Sequence, residues 1–340
     1  MRAPSPLRLP ALILAGLICQ GCAGAPHPGV SAPVAATVRA GASTSPSPSL
    51  GTTSAAQIGR LGSPIAVGAG PDGMVVADSS LWVANFGAGT VSRVDPQAHR
   101  VVATVPVVGG PISVAGVGTS VWVADYQQGE VSRIDAVTNR VTATVAVGPS
   151  PVSIVPVAGV LWVFNQGNAT ATIIDPRTTK ATATIPTGAH AGFVTLAGNH
   201  LWIPDFMGAH QVVELDPVSR QILRRIPVGS APISISFAAG SGWVSNTGDG
   251  TITRLDPATG RTLATISVPG GSLGPLIATP RAIIVSNYGA NALTVINPTT
   301  NSVVGTIVTG DEPQSIIPLF GDLWLDEGGS NDVRQVILRP

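Results

Sequence analysis

From about residue 58 to the C-terminus, short apolar runs alternate with Ser, Thr and Ala, and clusters of Gly, Pro, Asp and Asn separate them. Alternation with a period of two is the pattern of half-buried strands. The runs recur at a fixed distance. Trp82, Trp122, Trp162, Trp202, Trp243 and Trp324 are all the tryptophans of the chain, and Ile284 fills the gap before the last. Seven versions of one strand therefore read LWVAN, VWVAD, LWVFN, LWIPD, GWVSN, IIVSN and LWLDE. An Asp or Asn follows at a near-constant offset (Asp95, Asp135, Asp175, Asp216, Asp256, Asn297), usually with Pro after it. Another Pro precedes the Trp in five units: Pro71, Pro111, Pro151, Pro232 and Pro313.

Each unit of about forty residues divides into four strands. In the second these are residues 111–115 (inner), 121–124, 130–135 and 140–145 (outer). The Asp-Pro after the third strand predicts a turn, because Pro presets φ and the Asp carboxylate accepts bonds from amides ahead of it. Four short strands repeated every forty residues predict a β-propeller blade, so the fold class is all-β, a seven-bladed β-propeller. The last unit stops after three strands, while residues 58–67 form a spare strand-like segment before the first. Pairing the two would hide two open edges, so the N-terminal strand is expected to complete the last blade and the domain to span 58–340.

Residues 1–57 have a different character. Arg2 and Arg8 flank the start of an apolar run over 9–19, the length of a secretory h-region and too short to cross a bilayer. Two readings stand. Cys22 after Gly21 fits lipidation of a bacterial lipoprotein, with residues 1–22 as its signal, although Cys19 occupies a position where Leu is expected. Ordinary cleavage after Ala25 would leave Pro26 beyond the scissile bond. Both cysteines lie in this segment, and a lone Cys in an exported chain is explained by lipidation. Residues 23–57 are mostly Ala, Pro, Ser, Thr and Gly with Arg39 as the sole charge, a linker with a reach of about 30 Å.

Composition narrows the functional classes. With 44% hydrophobic and 11% charged residues the chain is not disordered as a whole, and 40 Gly and 30 Pro favour turns over long helices. Eighteen basic residues balance eighteen acidic ones, which leaves nothing to drive binding to a phosphate backbone. Nucleic acid is excluded as a partner. A membrane is met only through an N-terminal lipid, and the molecule is expected to be a monomer.

The units resemble the YVTN-type repeats of secreted seven-bladed propellers, a superfamily that includes virginiamycin B lyase-like and quinoprotein-dehydrogenase-like proteins. The resemblance rests on Thr90-Val91-Ser92-Arg93-Val94-Asp95-Pro96 and Ala143-Thr144-Val145-Ala146-Val147-Gly148 and covers residues 58–340. It implies the fold, and it says little of activity because these motifs are strand and turn chemistry. The lyase resemblance implies a metal-supported His and Glu cluster at the channel. Only Glu130, Glu214, Glu312 and Glu327 occur in the body, and that cluster does not map onto them. A quinone cofactor implies a ring of Trp and Arg at the channel, whereas the Trp positions here are regular enough to serve blade packing.

Candidate binding residues lie where the repeat is broken, on the loops leading into the inner strands and those after the Trp strands. An Asn or Asp ends each Trp strand: Asn85, Asp125, Asn165, Asp205, Asn246, Asn287 and, in unit seven, Asp326. Its repetition predicts a structural cap on the turn. Next come Phe86, Tyr126, Gln166, Phe206, Thr247, Tyr288 and Glu327, whose aromatics either offer a surface to a ligand or cover loop backbone. Unit four has His190 in place of the proline pattern and Asp205, Phe206 and His210 after its Trp strand. Unit seven carries Asp311, Glu312, Asp326 and Glu327. These eight residues are either an anionic, imidazole-bearing cup for a small ligand or cation, or solvated loops. The Gly-rich stretch 269–275 of unit six lacks the strand-to-helix setting of a phosphate loop. His190 and His210 match no short metal motif, and no nucleophilic set can be assembled, so no catalytic residue, metal or cofactor is expected. The leading expectation is an exported, lipid-anchored binding module for a small molecule, glycan or envelope protein. The rival is a metal-assisted lyase or hydrolase at the channel mouth.

Overall fold

The computed structural model describes residues 58–338. Cys22 and the segments expected to be signal (1–22) and linker (23–57) lie outside the described residues.

Six sheets of four antiparallel strands follow one another along the chain, and a seventh is assembled from both ends of the domain. Blade one runs Pro71–Ala77, Ser80–Asn85, Thr90–Asp95, Arg100–Pro106, and blades two to six repeat it. Each inner strand packs on the next, and Pro313–Leu319 of blade seven packs back on Pro71–Ala77. The fold is a seven-bladed β-propeller.

Closure follows the expectation from the chain ends. Gly59–Leu61 pairs antiparallel with the last strand, Gly59 opposite Leu338 and Leu61 opposite Val336, and Ile65 and Ala66 continue opposite Val333 and Asp332. Ile65 then enters a core cluster with Leu81, Val83, Leu319 and Trp324. The latch thus joins hydrogen bonds and apolar burial in one segment.

The repeated residues build the blades. All six tryptophans are buried, and the indole N–H of Trp82 and of Trp202 donates to Ala77 and Ala197 at 3.2 Å. Arg93, Arg133, Arg224 and Arg254 lie over the rings of Trp82, Trp122, Trp202 and Trp243 at 5.0–5.7 Å. The same guanidiniums reach the following blade: Arg93 donates to the Ala136 carbonyl at 2.6 Å and Arg254 to that of Pro298 at 2.9 Å. In blade four Glu214 stands opposite Trp202 where blades one, two and five have arginine, and it holds Arg224 and His200 in compensation. The Asp-Pro turns form as predicted, with Asp95 Oδ1 accepting from the amides of Gln97 and Ala98 at 2.9 Å. These backbone donors hold the equivalent carboxyls of Asp135 and Asp175 below their ordinary pKa.

Near the axis the inner strands come close enough to exclude side chains. A Cβ on Gly73 would sit 2.2 Å from the Ile112 carbonyl oxygen. Seryl hydroxyls bridge the same gaps, Ser113 to the Ile154 amide at 3.2 Å and Ser234 to the Leu276 amide at 3.1 Å.

Candidate functional site

One hydrogen bond recurs in every blade and defines the loop face. The amide after the second strand donates to a carbonyl just before the inner strand: Phe86 to Gly70, Tyr126 to Gly110, Gln166 to Ser150, Phe206 to His190, Thr247 to Ala231, Tyr288 to Ser272, Gly328 to Glu312. This pairing sets the register of blade seven. Glu327 lies opposite Pro313 as Asn85 lies opposite Pro71. Glu327, and not Asp326, is therefore the seventh member of the Asn/Asp column, and Gly328 takes the place that aromatics hold elsewhere. Asp326 occupies a mid-strand position that is Ala84 or Ala124 in other blades.

The Asn column is structural, but it ties strands together and does not cap the turn. Asn85 Nδ2 donates to Thr90 Oγ1 and Ser92 Oγ at 3.0 and 2.9 Å, and Asn165 and Asn246 repeat this with two threonines each. Asp125 cannot donate as Asn does. It accepts from Ser132 at 2.7 Å, and Glu130 replaces a threonine beside it. Burial, opposed by the Ser132 bond and reinforced by the Glu130 charge, pushes its pKa up to about 7.

Blade four binds itself. Asp205 accepts from the amides of His190 (2.8 Å) and Ala209 (2.9 Å) and from Gln211 Nε2 (3.1 Å). His190 Nδ1 lies 2.7 Å from the Gln166 carbonyl in blade three, whereas His210 Nδ1 accepts from the Ala231 amide in blade five. The two imidazoles thus turn to opposite neighbours. Phe206 is half-buried beside them. Loop knitting also explains why the inner strand of this blade is cut to Thr195–Ala197. The other aromatics cover backbone: the Phe86 ring occupies the space a Cβ on Gly110 would need, and it meets Tyr126 at 6.2 Å. An open groove of about 380 Å³ between Tyr126 and Pro149 has no charged lining residue.

The acids of blade seven divide into matched and unmatched groups. Asp311 is exposed and accepts from Asn291 at 2.9 Å. Glu327 is fully buried, accepts from the Gly310 amide at 2.5 Å and pairs with Arg334 at 2.8 Å. Asp326 is fully buried as well. Its Oδ1 accepts from the Ser315 amide at 2.5 Å, and its Oδ2 has no partner. Across the seam stands Asp72, 4% exposed, with an unpartnered Oδ1. Burial is the main cause that raises the pKa of both, with Asp326 pushed up to about 8. Asp326 and Glu312 raise Asp72 further by their charge. The Tyr288 hydroxyl, which donates to Gln314 Oε1 at 2.8 Å, is likewise held well above its ordinary value by burial and by Asp72, Asp326 and Glu312.

Sequence reading missed Asp72, Tyr288 and Gln314 as one group. The available signal was a column: the residue after the inner-strand proline is Ile112, Val152 and Ile233 in three blades, but Asp72 and Gln314 at the closing seam. Asp72 and Gln314 meet there only because the ring closes.

No family model matches the chain, and no curated protein matches it. Among solved structures the chain is similar to a streptogramin B lyase (TM-score 0.70, 15% identity, covering 82% of this chain and 97% of that one). It is also similar to virginiamycin B lyase from Staphylococcus aureus (0.71, 15%, 81% and 98%) and to Kuenenia stuttgartiensis hydrazine synthase (0.71, 17%, 85% and 98%). Likeness at this identity shows the shared propeller.

Proposed function

We propose that the protein is an exported binding module, held at the cell envelope by a lipid on Cys22, whose propeller takes a positively charged ligand or partner on its loop face. The observation that carries this reading is the charge of that face. The loops before the inner strands and after the second strands contain Asp205, Asp249, Asp311 and Glu312, and no Lys or Arg. Turns at the opposite ends of the strands carry both signs, Arg177, Arg220, Arg261 and Arg281 with Asp78, Asp216 and Asp256. The Arg225 guanidinium reaches the Gly188 carbonyl of blade four, so the acids of blades five and seven, away from it, are the part of the rim that concentrates cations. The ligand classes that fit are small organic cations and basic segments of envelope proteins.

The lyase or hydrolase reading draws on the likeness to lyase structures. The residues present do not fit its metal: among the described residues no group of three His, Cys, Asp or Glu side chains could hold an ion. His190 and His210 are engaged with separate blades, and we derive no reaction step from them.

Two measurements test the proposal. Radiolabelled palmitate enters the wild-type chain in cells and is lost in Cys22→Ser; labelling of neither would make the protein a secreted one. A trilysine peptide binds the protein in low salt, and the double variant Asp249→Lys, Asp311→Lys abolishes that binding. Equal binding to both proteins would refute the acidic face as the binding surface.

A further inference from the structure

We propose that the seam between blades seven and one binds the head of a protonated primary amine between Asp72 and Asp326. The inference rests on the reading of the loop face as a cationic-ligand surface and names the group bound at one place on it.

Two buried carboxyls each keep one oxygen without a protein partner, Asp72 Oδ1 and Asp326 Oδ2. Leaving a buried acceptor unmatched is destabilising, and more so for a carboxylate. Elsewhere on this face Asp205 has three N–H donors and Glu327 an amide with Arg334, and Asp125 keeps one unmatched oxygen beside its Ser132 bond. Only at the seam do two such acids lie together, Ser315 holding the carboxylate of Asp326 and the backbone of Asp72. Packing does not demand an acid at position 72 either, since Ile112, Val152 and Ile233 fill that column in other blades.

The repeat leaves this seam without the side-chain cover that other seams have. The residue after the second strand leans over the next blade: Thr247 Oγ1 donates to the Leu273 carbonyl at 2.6 Å, and Tyr288 reaches Gln314. At this seam the residue is Gly328, which lays only backbone near the Pro71 carbonyl and Gln314.

The acceptors suit an ammonium head. Its three N–H groups meet Asp72 Oδ1, Asp326 Oδ2 and the lone pair of Tyr288 Oη, whose own proton is committed to Gln314. A divalent ion would need three close anionic or imidazole ligands, and the seam does not provide such a set. Charge supports the same choice. Asp326 and Glu312 act on Asp72, and all three act on Tyr288, so a bound cation relieves repulsion and lets the carboxyls ionise. Binding therefore releases protons and strengthens as pH rises.

The test is calorimetric titration of the full chain with n-butylammonium at pH 6 and pH 8.5, in two buffers of different ionisation enthalpy. One site is expected, at least about tenfold tighter at the higher pH, with a buffer-dependent heat that reports proton release. Asp326→Asn and Asp72→Asn should each weaken binding about tenfold or more. The Asp326 variant keeps an oxygen for the Ser315 amide, so it should fold, and its melting curve checks that. Absence of saturable heat, equal binding by both folded variants, or a preference for Ca²⁺ over n-butylammonium overturns the inference. If trilysine binding is still lost on reversing Asp249 and Asp311, only the seam assignment has failed. If trilysine never binds, the acidic-face reading has failed too.

Discussion

Ser315 Oγ donates to the carbonyl oxygen of Asp72 at 3.2 Å, across 243 residues of sequence. This bond ties the seventh inner strand to the first, and the acid whose backbone it holds is one of the two that the seam leaves with an unmatched oxygen. Ring closure and the candidate site are therefore one piece of structure.

The latch should be worth a large part of the stability. Ile65 is 4% exposed against Trp324 and Leu319, so Ile65→Ala is expected to cost about 2–4 kcal/mol in chemical denaturation. A loss under about 0.5 kcal/mol would mean that the N-terminal segment does not latch the ring.

Blade packing should respond at tryptophan far more than at surface charges. Trp162→Ala is expected to cost about 3–5 kcal/mol. Arg177→Ala, whose side chain is 88% exposed, should change stability by less than about 0.5 kcal/mol. Equal effects in urea melts would contradict the assignment of the Trp column to the core.

How far these features could be read in advance depended on repetition. The forty-residue period, the Asp-Pro turns and the spare N-terminal strand are local patterns, and each formed as the pattern implies. Asp326 and Glu327 were legible by spacing as well. Unit seven reads LWLDE, and three residues after Trp324 is Glu327, as Asn85 is three after Trp82. Placing Asp326 in the column followed residue type over spacing, and the pairing of Glu327 with Pro313 and the bond from Gly328 to Glu312 correct it. His190 looked like a ligand group because it breaks the repeat, and Asp205 because it lies in the same blade; in the fold the Asp205 carboxylate accepts from the His190 amide. Asp72 sat unnoticed inside a strand, because its meaning depends on a partner brought from the far end of the chain.

Stability contributed by two buried carboxyls should fall as pH rises from about 4 to about 8. Asp125 and Asp326 have folded-state pKa values raised to about 7 and about 8. The folded state then holds protons that the unfolded state has released, from about pH 4 up to those values. This contribution is complete below about pH 4 and is lost as pH rises through 7 and 8. Melting temperature is expected to drop between pH 5 and pH 8, and Asp326→Asn to flatten the drop. A melting temperature that climbs over that range would contradict the burial of these carboxyls.

Asp125→Asn restores the donor that Asn85, Asn165 and Asn246 use toward their hydroxyl partners. The variant is expected to gain about 1 kcal/mol at pH 8, where the wild-type carboxylate faces Glu130, and much less at pH 5. Denaturation curves at the two pH values check this, and an equal change at both would show that charge is not the cause.

The most direct measurement is a crystal structure of the full chain grown with n-butylammonium at pH 8.5. The account predicts the nitrogen in contact with Asp72 Oδ1 and Asp326 Oδ2, beneath the backbone of Gly328 and beside Tyr288. A seam in which Asp72 and Asp326 bond directly to each other, with the amine absent, would contradict it.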